Sequence, residues 1–150
     1  MSDNYLKFIP ENTTFVPNIE AQEEAKSFLT SVLPDADSIT FTTSSEIRFY
    51  DAGGNFERIL CPYCAHEIEI TWWQEEMNKA NESGFRALEV KLPCCSRKSS
   101  LNELLYDWPQ GFARFCVEVY NPNVKDISNQ WLEKLKNILG CNFKVIWQHI

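Results

Sequence analysis

The sequence lacks the short motifs that mark the commonest nucleotide-binding and hydrolytic sites. Gly-x-Gly-x-x-Gly, Gly-x4-Gly-Lys-Ser/Thr, Gly-x-Ser-x-Gly and His-Glu-x-x-His do not occur anywhere in its 150 residues. The chain has only two histidines, so acid–base catalysis by histidine has few options. We therefore expect a protein that is not an enzyme.

Long apolar runs and a basic leader are missing as well. No apolar run approaches the roughly 20 residues that a membrane-spanning helix needs. The segment Met1–Phe8 has no basic region followed by an apolar one, so we expect no secretory signal, a cytoplasmic location and no membrane partner. In the cytosol, the six cysteines are expected to bind metal, lie in the core or do redox chemistry rather than form disulfides.

Basic residues are scarce in the first third of the chain. Residues 1–57 carry ten acidic and three basic side chains and supply the whole net charge of −7, whereas the remainder is balanced. Because an acidic chain repels phosphate backbones, nucleic acid is a poor partner for it. The acidic third predicts instead another protein with a basic surface as the partner, as for a toxin-neutralising or adaptor protein.

The length of 150 residues and a hydrophobic content of 44% fit one globular domain, residues 1–150. Phe15-Val-Pro-Asn-Ile, before the first predicted helix, resembles Tyr120-Asn-Pro-Asn-Val, before the last. We therefore predict an α+β fold with a ferredoxin-like split βαβ sheet, another α+β sheet being the alternative. Its parts would be a first βαβ unit (1–57), a central zinc-binding insertion (58–99) and a second βαβ unit (100–150).

Hydrophobic spacing predicts three helices. The first begins near Ile19, capped by Asn18, and stops at Pro34, and the others cover 68–83 and 126–139. Residues 99–108 suit either a short helix or a strand. Strands are predicted at 38–43, 46–50, 85–92, 112–120 and 142–148.

Four of the six cysteines lie in two clusters, Cys61-Pro-Tyr-Cys64 and Pro93-Cys-Cys95. A Cys-x2-Cys turn directs two thiolates toward one Zn²⁺ at about 2.3 Å, and a second pair brought alongside by a strand completes a tetrahedron. We therefore predict that Zn²⁺, or a similar thiolate-bound metal, is held by Cys61, Cys64, Cys94 and Cys95. Four thiolates close the coordination shell, so the metal would be structural.

The second pair imposes a condition on this site. Neighbouring side chains of a strand point in opposite directions, so a turn must form at Pro93 for both cysteines to be ligands. The strand Ile59-Leu60 and the strand ending at Leu92 could then lie side by side and present both pairs at one end of a sheet. His66 is an alternative fourth ligand, and free buried cysteines without metal are a further alternative.

Residues 56–98 resemble a zinc ribbon in these two cysteine pairs, although the second is Cys-Cys and a predicted helix separates them. The chain as a whole is similar to a group of small uncharacterised bacterial proteins. That resemblance implies no activity and favours a structural metal site. It rests on Cys61-Pro-Tyr-Cys64, Trp72-Trp73, Pro93-Cys-Cys95, Ser100-Leu-Asn-Glu-Leu and Gly111-Phe-Ala-Arg-Phe.

The tetrapeptide Cys61-Pro-Tyr-Cys64 is also identical to the active-site motif of the glutaredoxins. In that family it follows a strand and opens a helix whose N-terminus lowers the pKa of the first thiol. The resemblance implies a thiol–disulfide oxidoreductase with Cys61 as nucleophile and Cys64 as resolving thiol. The wider pattern differs, because about 60 residues precede the motif and Glu67 and Glu69 follow it.

A third hypothesis is a zinc-ribbon nucleic-acid binder, using Trp72 and the basic cluster Arg86, Lys91, Arg97 and Lys98. As a solvated rim, that cluster needs no function. Cys116, Cys141 and His149 are expected to lie in or near the core or at a sheet end, and not to bind metal.

Overall fold

The structure is a computed structural model and describes residues 3–150. The described residues form nine strands and three helices. In chain order they are β1 (Asn4–Pro10), α1 (Ile19–Val32), β2 (Ser38–Tyr50), β3 (Arg58–Leu60), β4 (Glu67–Ile68), α2 (Ile70–Glu82), β5 (Glu89–Lys91), β6 (Lys98–Ser100), β7 (Leu105–Asp107), β8 (Gly111–Tyr120), α3 (Asn129–Leu139) and β9 (Phe143–His149).

The four longest strands form one antiparallel sheet in the order β2-β8-β1-β9. Helix α1 connects β1 to β2, and β8 lies between these two strands. Helix α3 connects β8 to β9, with β1 between them, and the two helices contact each other. The predicted α+β class is confirmed. The ferredoxin-like form stays a prediction, which this strand order supports.

Local sequence signals set the ends of α1 and α3, the two helices that pack against the main sheet. The Asn18 side chain accepts a hydrogen bond from the Ala21 N–H at 2.8 Å and caps α1, as predicted. Helix α3 begins at Asn129 rather than at residue 126, because the Ser128 hydroxyl accepts from the Trp131 N–H and forms the cap. Gly140 ends α3 with a φ of 76°, the left-handed conformation for which glycine is suited.

Strand β2 is continuous, although the sequence predicts two strands at 38–43 and 46–50. It pairs with β8 on both sides of a register shift between Thr43 and Arg48. The four β2 residues between these points, 44–47, lie opposite a single residue of β8 and leave the regular ladder without ending the strand. They include the polar run Ser44-Ser-Glu46, which explains why the sequence predicts a break there.

The segment between β2 and β8 forms two small sheets, β4-β3-β7 and β5-β6. Helix α2 begins at Ile70 and not at 68, because Glu67 and Ile68 pair with β3. The predicted strand 85–92 shortens to Glu89–Lys91, and the ambiguous residues 99–108 contain the end of β6, a turn and β7. Strand β7 pairs with β3, across the predicted boundary at residue 99.

Two main cores fill the molecule. The first lies between the main sheet and helices α1 and α3, and includes Phe8, Leu29 and Phe115. The second joins the end of the main sheet to the two small sheets and α2. Its fully buried members include Ile59, Cys61, Leu92, Leu101 and Phe112. The cysteine region is thus packed against the main sheet through apolar contacts.

None of the described helices combines the length and the apolar composition that crossing a membrane requires.

Candidate metal centre

Two hairpin loops of the insertion have the same backbone structure. The first knuckle (residues 61–66) connects β3 to β4, and the second knuckle (residues 92–97) connects β5 to β6. In the first, the Cys61 N–H donates to the His66 carbonyl at 2.8 Å, and the Ala65 N–H donates to the Cys61 carbonyl at 3.0 Å. In the second, Leu92 and Arg97 form the corresponding bond at 2.9 Å.

The correspondence extends to the rest of the loop. The Ser96 N–H donates to the Leu92 carbonyl at 3.0 Å, and Ser96 and Ala65 both have a φ of 62°. The flanking residue pairs, Leu60 with Glu67 and Lys91 with Lys98, close both hairpins in the same register. The two knuckles are therefore equivalent, at an offset of 31 residues.

The equivalence shows how the cysteines are distributed. The first knuckle reads Cys-Pro-Tyr-Cys-Ala-His and the second reads Leu-Pro-Cys-Cys-Ser-Arg. Both have cysteine at the fourth position, namely Cys64 and Cys95. The other cysteine is at the first position in one knuckle (Cys61) and at the third in the other (Cys94), where Leu92 replaces the first cysteine.

The knuckles bring all four predicted ligands together. Their Sγ atoms lie within 4.8 Å of one another, with Cys61 and Cys95 at 3.8 Å and Cys64 and Cys94 at 3.4 Å. A tetrahedron with Zn–S bonds of about 2.3 Å has S···S edges of about 3.8 Å. The residues therefore fit a thiolate-bound metal ion, and each of the two close pairs joins one knuckle to the other.

Within residues 3–150, these cysteines are the only cluster of three or more potential side-chain ligands that could hold a metal ion. His66 is exposed and lies outside the cluster, so the geometry gives no support to it as the fourth ligand. The turn required at Pro93 is present, and it allows Cys94 and Cys95 to face the same point. Strands β3 and β5 do not lie side by side, because they belong to separate small sheets.

The Cys61 sulfur has the electrostatic environment of a thiolate. Burial raises its pKa, but the N–H groups of Cys64 and Tyr63 donate to its Sγ at 3.4 Å each and lower the pKa to about 6. Hydrogen bonds from the Cys64 and Cys94 thiols act in the same direction. The first knuckle thus stabilises one negative charge on its core side.

The pKa of Cys94 shifts in the opposite direction. Desolvation by the surrounding atoms, hydrogen bonds with Cys64 and Cys61, and the negative charge of Cys61 raise its pKa to about 12. Four sulfurs at this separation do not all ionise without a counter-charge. A bound cation supplies that charge, which is why coordinated thiols lose their protons.

The cluster has a buried side and an exposed side. Cys61 is fully buried and Cys95 half-buried, whereas Cys64 and Cys94 are exposed. On the outer side, the Arg97 guanidinium lies 5.2 Å from the centre of the Tyr63 ring, and the Tyr63 hydroxyl donates to the Lys98 carbonyl at 3.4 Å. The first contact joins the two knuckles, and the second joins the first knuckle to the start of β6.

The context of the glutaredoxin motif differs from the expectation. A helix does not open at Cys61, because the first knuckle and β4 intervene before α2 begins at Ile70. The helix-terminus effect on the thiol pKa therefore does not apply here. Cys61, the expected nucleophile, is fully buried, so its sulfur has no access to a substrate disulfide that it would attack.

The remaining candidates lie away from the cluster. Cys116 is buried in the middle of β8, where burial first and the nearby Glu118 carboxylate second raise the thiol pKa. Cys141 is half-buried just after α3. His149 is on β9, and its ring contacts the Asn4 side chain at 2.8 Å. The structure brings none of these residues to the four cysteines.

Three residues of the nucleic-acid hypothesis have local contacts of their own. Trp72 is half-buried against the second core. Lys98 is paired with Glu89 at 3.7 Å, and the Arg86 Nε donates to the Ser83 carbonyl, next to the end of α2.

No protein-family model matches the chain, and neither the curated proteins nor the solved structures include a match to it. The four-cysteine site therefore rests on its geometry. The zinc-ribbon resemblance and the likeness to small bacterial proteins stay predictions.

One signal of the site was available in the sequence and was missed. The tripeptides Pro62-Tyr-Cys64 and Pro93-Cys-Cys95 share their first and last residues at the offset that relates the knuckles. A search for Cys-x2-Cys alone cannot find this repeat, because Leu92 stands where the second knuckle would have its first cysteine.

Proposed function

We propose that Cys61, Cys64, Cys94 and Cys95 bind one Zn²⁺ as a closed structural site that fastens the two knuckles to each other. The observation that carries the proposal is the convergence of four sulfurs from two equivalent loops, with all Sγ atoms within 4.8 Å. Four thiolates leave no open position for a substrate or water, so the zinc would be structural rather than catalytic.

The surrounding charges suit such a centre. Zn²⁺ with four thiolates carries a net charge of −2. Arg97, two residues after Cys95, lies over the Tyr63 ring, and Lys91 and Lys98 are opposite each other on the hairpin that presents Cys94 and Cys95. Positive side chains near an anionic centre reduce its electrostatic cost, although Lys98 also forms an ion pair with Glu89. We therefore assign the basic residues of this hairpin to the proposed metal site, a role that requires no nucleic acid.

Metal content and thiol protection test this proposal together. The protein purified with zinc is expected to contain one zinc per chain and to hide four thiols from a thiol reagent until a chelator is added. Equal reactivity of those thiols with and without the chelator, and no bound zinc, would contradict the site. A reactive Cys61 in metal-free native protein would favour the oxidoreductase alternative.

We further propose that the protein works by binding a basic protein partner. None of the acidic residues described within 3–57 forms an ion pair with another described residue, and Glu20, Glu23 and Glu24 are exposed on α1. Unpaired acidic groups on one helix offer charge complementarity to a basic surface. This part rests on charge and is independent of the zinc.

Affinity capture with two forms of the protein tests the partner proposal. The triple variant Glu20→Gln, Glu23→Gln, Glu24→Gln removes three negative charges from exposed positions of α1. A partner retained by the unaltered protein and lost by the triple variant is the expected result. Equal recovery by both forms would remove the support from α1.

A further inference from the structure

A cleft lies between the main sheet and the insertion, and no cysteine lines it. It has a volume of about 430 Å³, within the range of small-molecule sites. The irregular part of β2, residues 44–47, supplies Ser45 and Ile47, and Gly84 and Arg86 follow the end of α2. Arg114 on β8 also faces the cleft. The three elements thus converge on one opening.

Both arginines of the cleft are held in the same way. The Arg114 Nε donates to the Ser44 carbonyl at 2.9 Å, and the Arg86 Nε donates to the Ser83 carbonyl at 2.9 Å. Each guanidinium is therefore anchored at one nitrogen. Its two terminal nitrogens form no hydrogen bond with the described residues, and neither arginine belongs to an ion pair among them.

We propose that this cleft binds a small anion carrying a phosphate or carboxylate group. Terminal guanidinium nitrogens fixed in a fork match the oxygens of either group and bind them by two parallel hydrogen bonds. The hydroxyl of Ser45 and the backbone around Gly84 add polar contacts beside them, and buried Ile47 supplies an apolar wall. This proposal does not depend on the zinc.

Two local features lie at the wall of the cleft. Gly84 has a φ of 67°, the left-handed region that favours glycine, and a Cβ there would project into open space. Residues 44–47 of β2 leave the regular ladder with β8, and Ser45, Glu46 and Ile47 among them line the cleft. Glu46, which also lines the cleft, is exposed and adds the one opposing charge among the lining residues.

The Glu46 carboxylate provides a further test of anion binding. A carboxylate at the rim repels an anion, so Glu46→Gln is expected to tighten anion binding several-fold at low ionic strength. If Glu46→Gln instead weakened binding, the carboxylate would be accepting hydrogen bonds from the ligand. That result would overturn the assignment of the cleft to a simple anion.

The direct test is an NMR titration of the purified protein with inorganic phosphate and, separately, with glutarate. Saturable shifts are expected at the amides of Thr14, Ser45 and Gly84 in at least one titration, and the stronger arm identifies the anion class. Sodium chloride at equal ionic strength should not reproduce them. No saturable shift in either arm, or shifts centred on the knuckles, would overturn the proposal.

Variants connect the shifts to the arginines. Arg86→Gln is expected to weaken binding about tenfold or more, because it removes charge-assisted hydrogen bonds. Arg58→Gln is the control, since Arg58 is exposed, pairs with Asp107 and lies outside the cleft. Equal affinity of the two variants would contradict the proposal. Arg114→Gln should weaken binding in the same way. If that variant does not fold, Arg114→Lys replaces it, because lysine keeps the positive charge but lacks the two terminal guanidinium nitrogens.

Discussion

At the scale of single residues, the four cysteines are not equivalent. Cys61 is buried in the second core and receives two backbone hydrogen bonds on its sulfur, whereas Cys64 and Cys94 face solvent. A core thiol with a lowered pKa ionises first, and a cation bound at the cluster would ionise the other sulfurs. Cys61 is therefore the residue on which metal binding should depend most.

We expect Cys61→Ser to abolish the stabilisation that zinc provides. At a free zinc concentration 100 times the Kd, bound zinc contributes about 2.7 kcal/mol to the free energy of unfolding. On chelation, the free energy of unfolding of the unaltered protein should fall by that amount. The free energy of unfolding of Cys61→Ser should change little. Denaturant unfolding with and without chelator measures both.

The matched control is Cys141→Ser, which alters a half-buried thiol outside the cluster. It should keep the full response to chelation. An identical response in Cys61→Ser and Cys141→Ser would contradict the metal assignment.

Lys144 provides a prediction that concerns pH. Its Nζ is largely buried and donates to the carbonyl and side-chain oxygens of Asn102 and, at 3.2 Å, to the Gln110 carbonyl. Burial lowers the pKa of Lys144 to about 8, although Glu11 and Glu103 oppose the shift. In the unfolded chain a lysine has a pKa of about 10.4. Between these two values the unfolded chain binds more protons than the native protein does.

The contribution of Lys144 to the free energy of unfolding should consequently rise with pH from about 8 to about 10. Thiols titrate in the same window, so the comparison must be with Lys144→Met at the same zinc concentration. The variant should lack the part of the slope that Lys144 supplies. Superimposable pH profiles for the two proteins would show that burial does not perturb this amine.

At the scale of elements, what the sequence predicts depends on whether the signal is local. The cap of α1 was predicted correctly because Asn18 acts within three residues. The start of α2 was wrong by two residues because Glu67 and Ile68 are used by β3, a partner that helical periodicity does not reveal. The extent of the strand 85–92 was wrong for the same reason, since only three residues find partners in β6.

The cysteine site shows the same difference between local signals and long-range strand pairing. The structure brings the four chosen cysteines into one cluster, and Cys-x2-Cys and Pro-Cys-Cys are the local signals that indicated them. The sequence did not indicate how they meet, because pairing of β3 with β7 and of β5 with β6 places the two hairpins in separate sheets. The equivalent turns, rather than adjacent strands, bring the sulfurs together.

Equivalence of the knuckles predicts a rescue. Cys94→Ser should lose zinc affinity, since it removes one of the four thiolates. Adding Leu92→Cys should restore much of it, because position 92 corresponds to Cys61 in the first knuckle. Zinc affinity is measured by competition with a chelator in the single and double variants.

Leu92 is fully buried, so Leu92→Cys alone is needed as a control for the cavity it leaves. A double variant that binds zinc no better than Cys94→Ser would show that the first position of the second knuckle does not reach the metal.

At the scale of the whole molecule, the main sheet and the cysteine region have different sources of stability. The central pair of the sheet, β1 and β8, joins residues far apart in the chain and is covered by the first core. The knuckles belong to sheets of two or three short strands, which have little stability of their own. Zinc should therefore stabilise the two parts unequally.

Amide hydrogen exchange can measure this difference. After chelation, we expect faster exchange for amides of β5, β6 and the two knuckles, with nearly unchanged protection in β1 and β8. Cys141→Ser should behave as the unaltered protein does. Uniform acceleration across the whole chain would mean that the metal stabilises a single cooperative unit.

The contacts of Cys61 with Cys95 and of Cys64 with Cys94 span 34 and 30 residues of chain. With a metal between these sulfurs, the intervening segment, which contains all of α2, becomes a closed ring in which the ion is the final link. A protease that cut once inside this ring would leave both pieces attached. The nicked protein would then separate under denaturing conditions only after the metal had been removed.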